Sequence, residues 1–154
     1  MRSIRLLAVG HLKTSWFKDA ADHYLTALKR HIPAEEILLR DGKAKEPQKR
    51  QVEEGRALLE RVSPKDFVVV CDEGGRSLPS RELAAWLERL LEDPGRQPVF
   101  VMGGPHGLSR EVLARADSVI AFGPGTLPHE LARVVLYEQL YRSASILAGT
   151  PYHH

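Results

Sequence analysis

Apolar positions along the chain fall into five short blocks of aliphatic and β-branched residues, separated by stretches in which apolar side chains recur every three or four positions. IRLLAVG (4–10) reads as a buried strand ending at a glycine, and Trp16, Phe17, Ala20, Ala21, Tyr24 and Leu28 follow at near-helical spacing. Ile37, Leu38 and Leu39 predict a second strand. The helix after it runs over 47–62, with Val52, Leu58, Leu59 and Val62 as core positions and Ser63-Pro64 as its stop. DFVVVCDEGG (66–75) predicts a strand leaving into an acidic, glycine-containing turn; Leu83, Trp86, Leu87 and Leu90 then mark a helix preceded by Pro79-Ser80. PVFVMGGPHG (98–107) repeats the strand-then-glycine pattern, Ser109 caps a short helix to about Ala116, and SVIAFGPG (118–125) gives another strand and turn. Strands alternating with helices at this spacing predict a single α/β domain over residues 1–154, built on a mostly parallel sheet with helices on both faces. Ligands bind beyond the carboxyl ends of the strands in such a sheet. Three glycine turns, CDEGG, MGGPHG and FGPG, occupy those ends.

The last helix, 128–148, opens on Pro128, which a first turn tolerates because its missing amide hydrogen would be unpaired anyway. Leu131, Val134, Val135, Leu136, Leu140, Tyr141, Ala144, Ile146 and Leu147 cover more circumference than one stripe against a sheet requires. A second apolar contact is therefore expected, either another helix of the same chain or the same helix of a symmetry mate.

Composition narrows the function. The 154 residues are 43% hydrophobic and 27% charged, which excludes a disordered or fibrous chain, and the longest apolar runs fall far short of the roughly 18 residues that span a bilayer. No membrane partner is expected, and a cytoplasmic location is. The single cysteine, Cys71, lies in an apolar run and has no intramolecular partner, as a reducing compartment or plain core packing would both allow. The net charge of +2 is unevenly spread: residues 1–65 carry 14 basic and 9 acidic side chains, and RDGKAKEPQKR (40–50) alone holds five basic and two acidic. That stretch is either a solvated loop entering a helix or a contact for a polyanion.

Gly103 and Gly104 allow a ligand to approach the backbone, and Pro105 stiffens the turn after them; the same residues also suit an ordinary tight turn. The recurrence of FGPGTLP some twenty residues on, at the same predicted sheet edge, favours a shared pocket. Neither GxGxxG nor GxxxxGK[ST] occurs, so no dinucleotide fingerprint or phosphate loop is supported. Asp72 and Glu73 are candidate acceptors for a ligand or plain turn residues. Seven histidines come without companion cysteines or HExxH, so no metal site is expected. The tail GTPYHH (149–154) sets an aromatic ring and two imidazoles after an apolar helix; if it packs back, Tyr152 is placed to stack and His153 to exchange a hydrogen bond near neutral pH.

VMGGPHGLS (101–109), TLPHELARVVLYEQLYRSASI (126–146) and PYHH (151–154) together resemble the ribosomal large subunit pseudouridine methyltransferase H family, a small branch of the SPOUT methyltransferases. LLAVGHLK (6–13), the basic segment and the CDEGG exit extend the resemblance over essentially the whole chain. It implies a SPOUT-type α/β fold with a deep C-terminal trefoil knot, a homodimer, and S-adenosyl-L-methionine held bent in the knotted loops. The implied reaction is methyl transfer to N3 of pseudouridine 1915 in the helix 69 loop of 23S ribosomal RNA, on assembled 70S ribosomes. Carried onto this sequence, the cofactor would lie against Cys71, Gly103, Gly104, Phe122, Gly123, Pro124, Gly125, Thr126 and Leu127.

The same resemblance implies that some of His129, Arg133, Glu138, Arg142, Tyr152 and His153 orient the nucleotide, with the partner subunit completing the pocket. A neutral imide nitrogen is a poor nucleophile, so its proton must leave as it attacks. His153 or a neighbouring polar group is expected to manage that proton and Arg142 to stabilise the charge on the imide, while Glu138 either acts directly or holds Arg142 four residues on. The chain departs from the family's pattern where Thr150 and His154 replace the usual His and Lys or Arg, which removes a permanent positive charge from the end of the tail, and in the FGPG approach to TLPH.

Overall fold

The computed structural model describes residues 3–154. Its ten elements alternate: β1 (Ile4–Val9), α1 (Ser15–Lys29), β2 (Ala34–Leu39), α2 (Pro47–Leu59), β3 (Asp66–Ser77), α3 (Ser80–Glu92), β4 (Gln97–Met102), α4 (Arg110–Arg115), β5 (Ser118–Ala121) and α5 (His129–Ala148). The five strands form one sheet in the order β2-β1-β4-β3-β5, every pair parallel. The steps through α1 and α3 run one way across the sheet and those through α2 and α4 the other. A single crossover handedness then puts α1 and α3 on one face and α2 and α4 on the opposite face.

The alternation along each strand builds both cores. Leu6, Val69 and Phe100 point to the face covered by α1, α3 and α5, while Leu7, Val68, Val70, Val99 and Val101 point to the face covered by α2 and α4. Within the chain α1 and α3 both pack against α5, and Val134, Leu136, Tyr137, Leu140 and Ala144 join the core on this face of the sheet. Residues such as Leu131 and Val135 still keep partial exposure on its outer side.

Boundaries moved where local chemistry overrode the pattern. α2 stops at Leu59, and Arg61 and Val62 donate instead to Leu58 and Leu59 at 3.0 and 3.2 Å, an i to i+3 tightening of the last turn. β2 begins at Ala34, three residues before the apolar triplet, since an edge strand tolerates the polar Glu35 and Glu36. Pro128 caps α5 from just outside, and Ser109 caps α4 as expected, its Oγ accepting from the Val112 amide at 3.3 Å.

The largest departure is in β3, which does not end at CDEGG. Cys71 and Arg76 both align with Ile120, so residues 72–75 bulge out and the strand resumes through Ser77. Gly75 permits this: a Cβ there would lie 2.6–2.7 Å from backbone atoms of Val119 and Ile120.

Candidate active site

The chain leaves β3 and β4 toward opposite faces of the sheet, which opens a crevice at their carboxyl ends. Three segments wall it: the 71–75 bulge, the Gly103–Leu108 turn and the 122–127 loop. The half-open cavity measures about 340 Å³, within the range of sites that hold small molecules and cofactors.

Each wall has an identifiable support. The Gly103 turn doubles back so tightly that a Cβ on Gly103 would meet the Gly107 carbonyl oxygen at 2.8 Å, and Gly107 itself has φ 77°. Gln51 of α2 donates to the His106 carbonyl at 2.9 Å and fixes the outer end of that turn. Across the mouth, the Thr126 hydroxyl donates to Glu73 at 2.5 Å, and the Gly123 amide donates to the Ser77 hydroxyl at 3.1 Å. The bulge and the β5–α5 loop are thereby clasped together.

Of the residues expected to hold a cofactor, Cys71, Gly103, Gly104, Phe122, Gly123, Gly125, Thr126 and Leu127 all line the cavity; Pro124 does not. His129, on the first turn of α5, lines it as well. Burial pushes the Cys71 thiol up to about 12, with the Asp72 carboxylate adding to the effect. Burial also lowers the His129 pKa below its ordinary value, so its imidazole is neutral at pH 7.

The other candidates gather elsewhere. The tail packs back onto α5: Tyr152 lies 4.6 Å from Tyr141, ring to ring, and its hydroxyl donates to Glu138 Oε1 at 3.1 Å. Glu138 also accepts from Arg142 Nε and Nη2 at 2.9 and 2.7 Å, the in-helix pair expected from their spacing. Arg142 in turn sits over the Tyr152 ring at 4.8 Å and reaches His153 Nδ1 at 3.0 Å. A guanidinium only donates, so His153 Nδ1 is the acceptor and the ring proton resides on Nε2. Arg142 is thirteen residues from His129, about 20 Å along the helix axis. The tail cluster and the cavity therefore stand apart within one protomer.

Glu130, which sequence reasoning missed, and Arg133, which it named only as a candidate to orient the nucleotide, tie α5 to the end of β1. Glu130 accepts from the Lys13 amide at 2.5 Å and from the Thr14 amide and hydroxyl at 3.2 and 2.9 Å. Arg133, 2% exposed, donates to the Gly10 and Val9 carbonyls at 2.8 and 2.9 Å. Charged residues in a helical pattern read as solvent-facing; only the apolar neighbours Val134, Leu136 and Tyr137 hinted that this turn is buried.

Comparison with known proteins decides the family. A family model described as "Predicted SPOUT methyltransferase" matches residues 1–153. The chain belongs to the SPOUT methyltransferases. Within that family it is 63% identical over 154 residues to a protein of Solidesulfovibrio magneticus named "Ribosomal RNA large subunit methyltransferase H", each chain being covered completely. Proteins of the same name from Oleidesulfovibrio alaskensis and Gloeobacter violaceus are 48% and 40% identical, with at least 98% of each chain covered. Among solved structures, a "Probable Methyltransferase" from Bordetella pertussis superposes with a TM-score of 0.58 at 15% identity, covering 93% of this chain and 96% of that one. A "probable methylase family protein" from Haemophilus influenzae gives 0.55 at 13% identity, covering 99% and 71%. These two share the fold. Membership of the SPOUT family makes this chain a methyltransferase.

Proposed function

We propose that this SPOUT methyltransferase binds S-adenosylmethionine in the cavity and transfers its methyl group to N3 of a pseudouridine in the helix 69 loop of 23S ribosomal RNA on assembled 70S ribosomes. The observation that carries the reading is the convergence of three glycine-containing walls on one cavity at a sheet switch point. The names of the relatives support ribosomal RNA as the substrate class. The lining also fits a cationic cofactor: Asp72 and Glu73 supply carboxylates, and no lysine or arginine lines the cavity. Backbone groups of Gly103, Gly104 and the 122–127 loop would hold the adenosyl and methionyl parts.

Bound there, S-adenosylmethionine supplies a methyl group on a sulfonium, already an electrophile with a good leaving group. The protein must then align N3 and receive its proton. His129 is fitted to accept that proton, being neutral and on the cavity wall. Arg142 is fitted to stabilise the negative charge on the imide, held in orientation by Glu138 and Tyr152. His153, with Nδ1 engaged by Arg142, offers Nε2–H to a carbonyl oxygen of the base.

Because the tail cluster stands apart from its own cavity, the reading includes a homodimer in which the tail of one protomer completes the cavity of the other. Mixing a cavity variant, Gly103→Val, with a tail variant, Arg142→Ala, should then restore methyl transfer that neither has alone; no recovery on mixing would count against a shared site. The trefoil knot belongs to the same proposal, with the passage of residues 122–128 from the edge strand β5 to the end of β1 in its support. A knotted chain stretched from both ends stops short of its full contour length of about 3.6 Å per residue.

Calorimetry tests the cofactor step. Wild-type protein should bind S-adenosylmethionine at one site per chain, and Gly103→Val should abolish binding while remaining folded. Absence of binding by a folded wild-type chain would favour instead a non-catalytic RNA-binding module built on the basic loop.

A further inference from the structure

Trp16 is 69% exposed, and among the described residues no other large hydrophobic side chain exceeds 37%. A single exposed apolar residue is ordinary by itself; the surroundings of this one are not. It opens α1, directly after the Gly10–Thr14 turn, at the same carboxyl edge of the sheet as the cavity. That turn is held by the bonds from Glu130 and Arg133, on the same helical turn of α5 that places His129 in the cavity wall. Trp16 thus stands on a braced platform.

Positive charge lies along the turn that precedes it. The 40–50 segment is brought against the turn, since Asp41 Oδ1 would lie 2.7 Å from a Cβ on Gly10 and Lys13 Nζ approaches Asp41 at 3.9 Å. Residues 11–18 and 40–50 together carry seven basic and two acidic side chains. Arg40, Lys43 and Lys45 are exposed and have no carboxylate within 4 Å among the described residues, and the Lys13 side chain is 80% exposed. An exposed aromatic ring next to a turn lined by solvent-facing cations, at the sheet edge that carries the cavity, matches what unpaired nucleotides require: a ring to stack a base on and cationic groups for its phosphates. An interface with a second copy of this chain would have to bury that cluster of like charge.

We propose that Trp16 and the rim formed by Lys13, Arg40, Lys43 and Lys45 bind single-stranded RNA, with Trp16 stacking on an unpaired base next to the nucleotide that enters the cavity. This rests on the methyltransferase reading for the identity of the cavity, and it adds the surface that holds the target's neighbours. Stacking discriminates by shape and tolerates any base, so Trp16 sets affinity for a splayed loop and leaves the chemistry at the cavity untouched.

The test uses 70S ribosomes that lack the methyl group. Trp16→Ala should weaken co-sedimentation with ribosomes and raise the KM for ribosomes about tenfold, with kcat at saturation, S-adenosylmethionine affinity and oligomeric mass unchanged. Trp16→Phe should recover most of the affinity, and Lys43→Ala/Lys45→Ala should weaken binding with a shallower dependence on salt. Unchanged ribosome affinity in Trp16→Ala overturns the proposal, and so does an altered oligomeric mass, which would assign Trp16 to a contact between copies. Because each variant is read against wild-type transfer and cofactor binding in the same samples, loss of the inference leaves the methyltransferase reading standing.

Discussion

Arg133 joins the fold to the site, and replacing it with methionine isolates what it contributes. The guanidinium is buried, makes two hydrogen bonds of 2.8 and 2.9 Å to the carbonyls that end β1, has an unpartnered Nε, and lies within 4 Å of no carboxylate among the described residues. Hydrogen bonds from a charged donor contribute about 1.5–3 kcal/mol each, so losing both costs roughly 3–6 kcal/mol. Removing an unpaired buried charge returns part of that, about 1–4 kcal/mol where an apolar side chain of similar length fills the space. The balance is destabilising by about 2 kcal/mol. For a chain of this size that corresponds to a fall in Tm of about 4–8 °C. Arg133→Lys, which keeps the charge but cannot span both carbonyls, should fall between the two. Differential scanning calorimetry gives the Tm, and titration with S-adenosylmethionine gives the second readout, because the turn that Arg133 anchors carries His129 and Ala132 in the cavity wall. An unchanged or raised Tm with intact cofactor affinity would show that the desolvation cost outweighs the bonds and that the α5–β1 lock is dispensable.

Two further expectations concern titratable groups in the cavity. Burial holds the His129 pKa below its ordinary value, so the folded protein binds fewer protons there than the unfolded chain does; its contribution to stability is present above about pH 6.5 and is lost as pH falls through the window below. Methyl transfer should show a matching acid limb, and His129→Gln should remove that limb and lower kcat by about a hundredfold; an unaltered profile and turnover would exclude His129 as the proton acceptor. Cys71, with its thiol pushed up to about 12, should react with a thiol reagent at pH 8 far more slowly than a free cysteine, since the thiolate is the reactive form. Labelling at the rate of an exposed thiol would contradict the burial assigned to it.

The alternation of apolar blocks was enough to place every strand and helix, because a parallel sheet covered on both faces forces near-continuous apolar strands and amphipathic connectors. It was also enough to bring the three glycine turns to one edge. Three features were out of its reach for identifiable reasons. CDEGG carries every local mark of a strand end, and only the close approach of Gly75 to Val119 and Ile120 shows that the strand resumes. The breadth of the apolar surface on α5 showed that it needed two neighbours, but periodicity cannot tell α1 and α3 of the same chain from a second copy. The tail announced itself as unusual through Tyr152 and His153, yet its partners Glu138 and Arg142 were named without any sign that the group lies well along the helix from the cavity. Glu130 and the structural role of Arg133 stayed hidden longest, since a charge turned inward to cap backbone groups leaves no trace in a hydrophobic pattern.

Where the methyl group goes is the most direct test of the proposed function. Wild-type protein, ribosomes that have pseudouridine but lack the methyl group, and S-adenosylmethionine labelled in its methyl should be combined and the 23S RNA mapped by nuclease digestion and mass spectrometry. A single label is expected on N3 of a pseudouridine in the helix 69 loop, lost in Gly103→Val. Label on another base, or none despite cofactor binding, would contradict it.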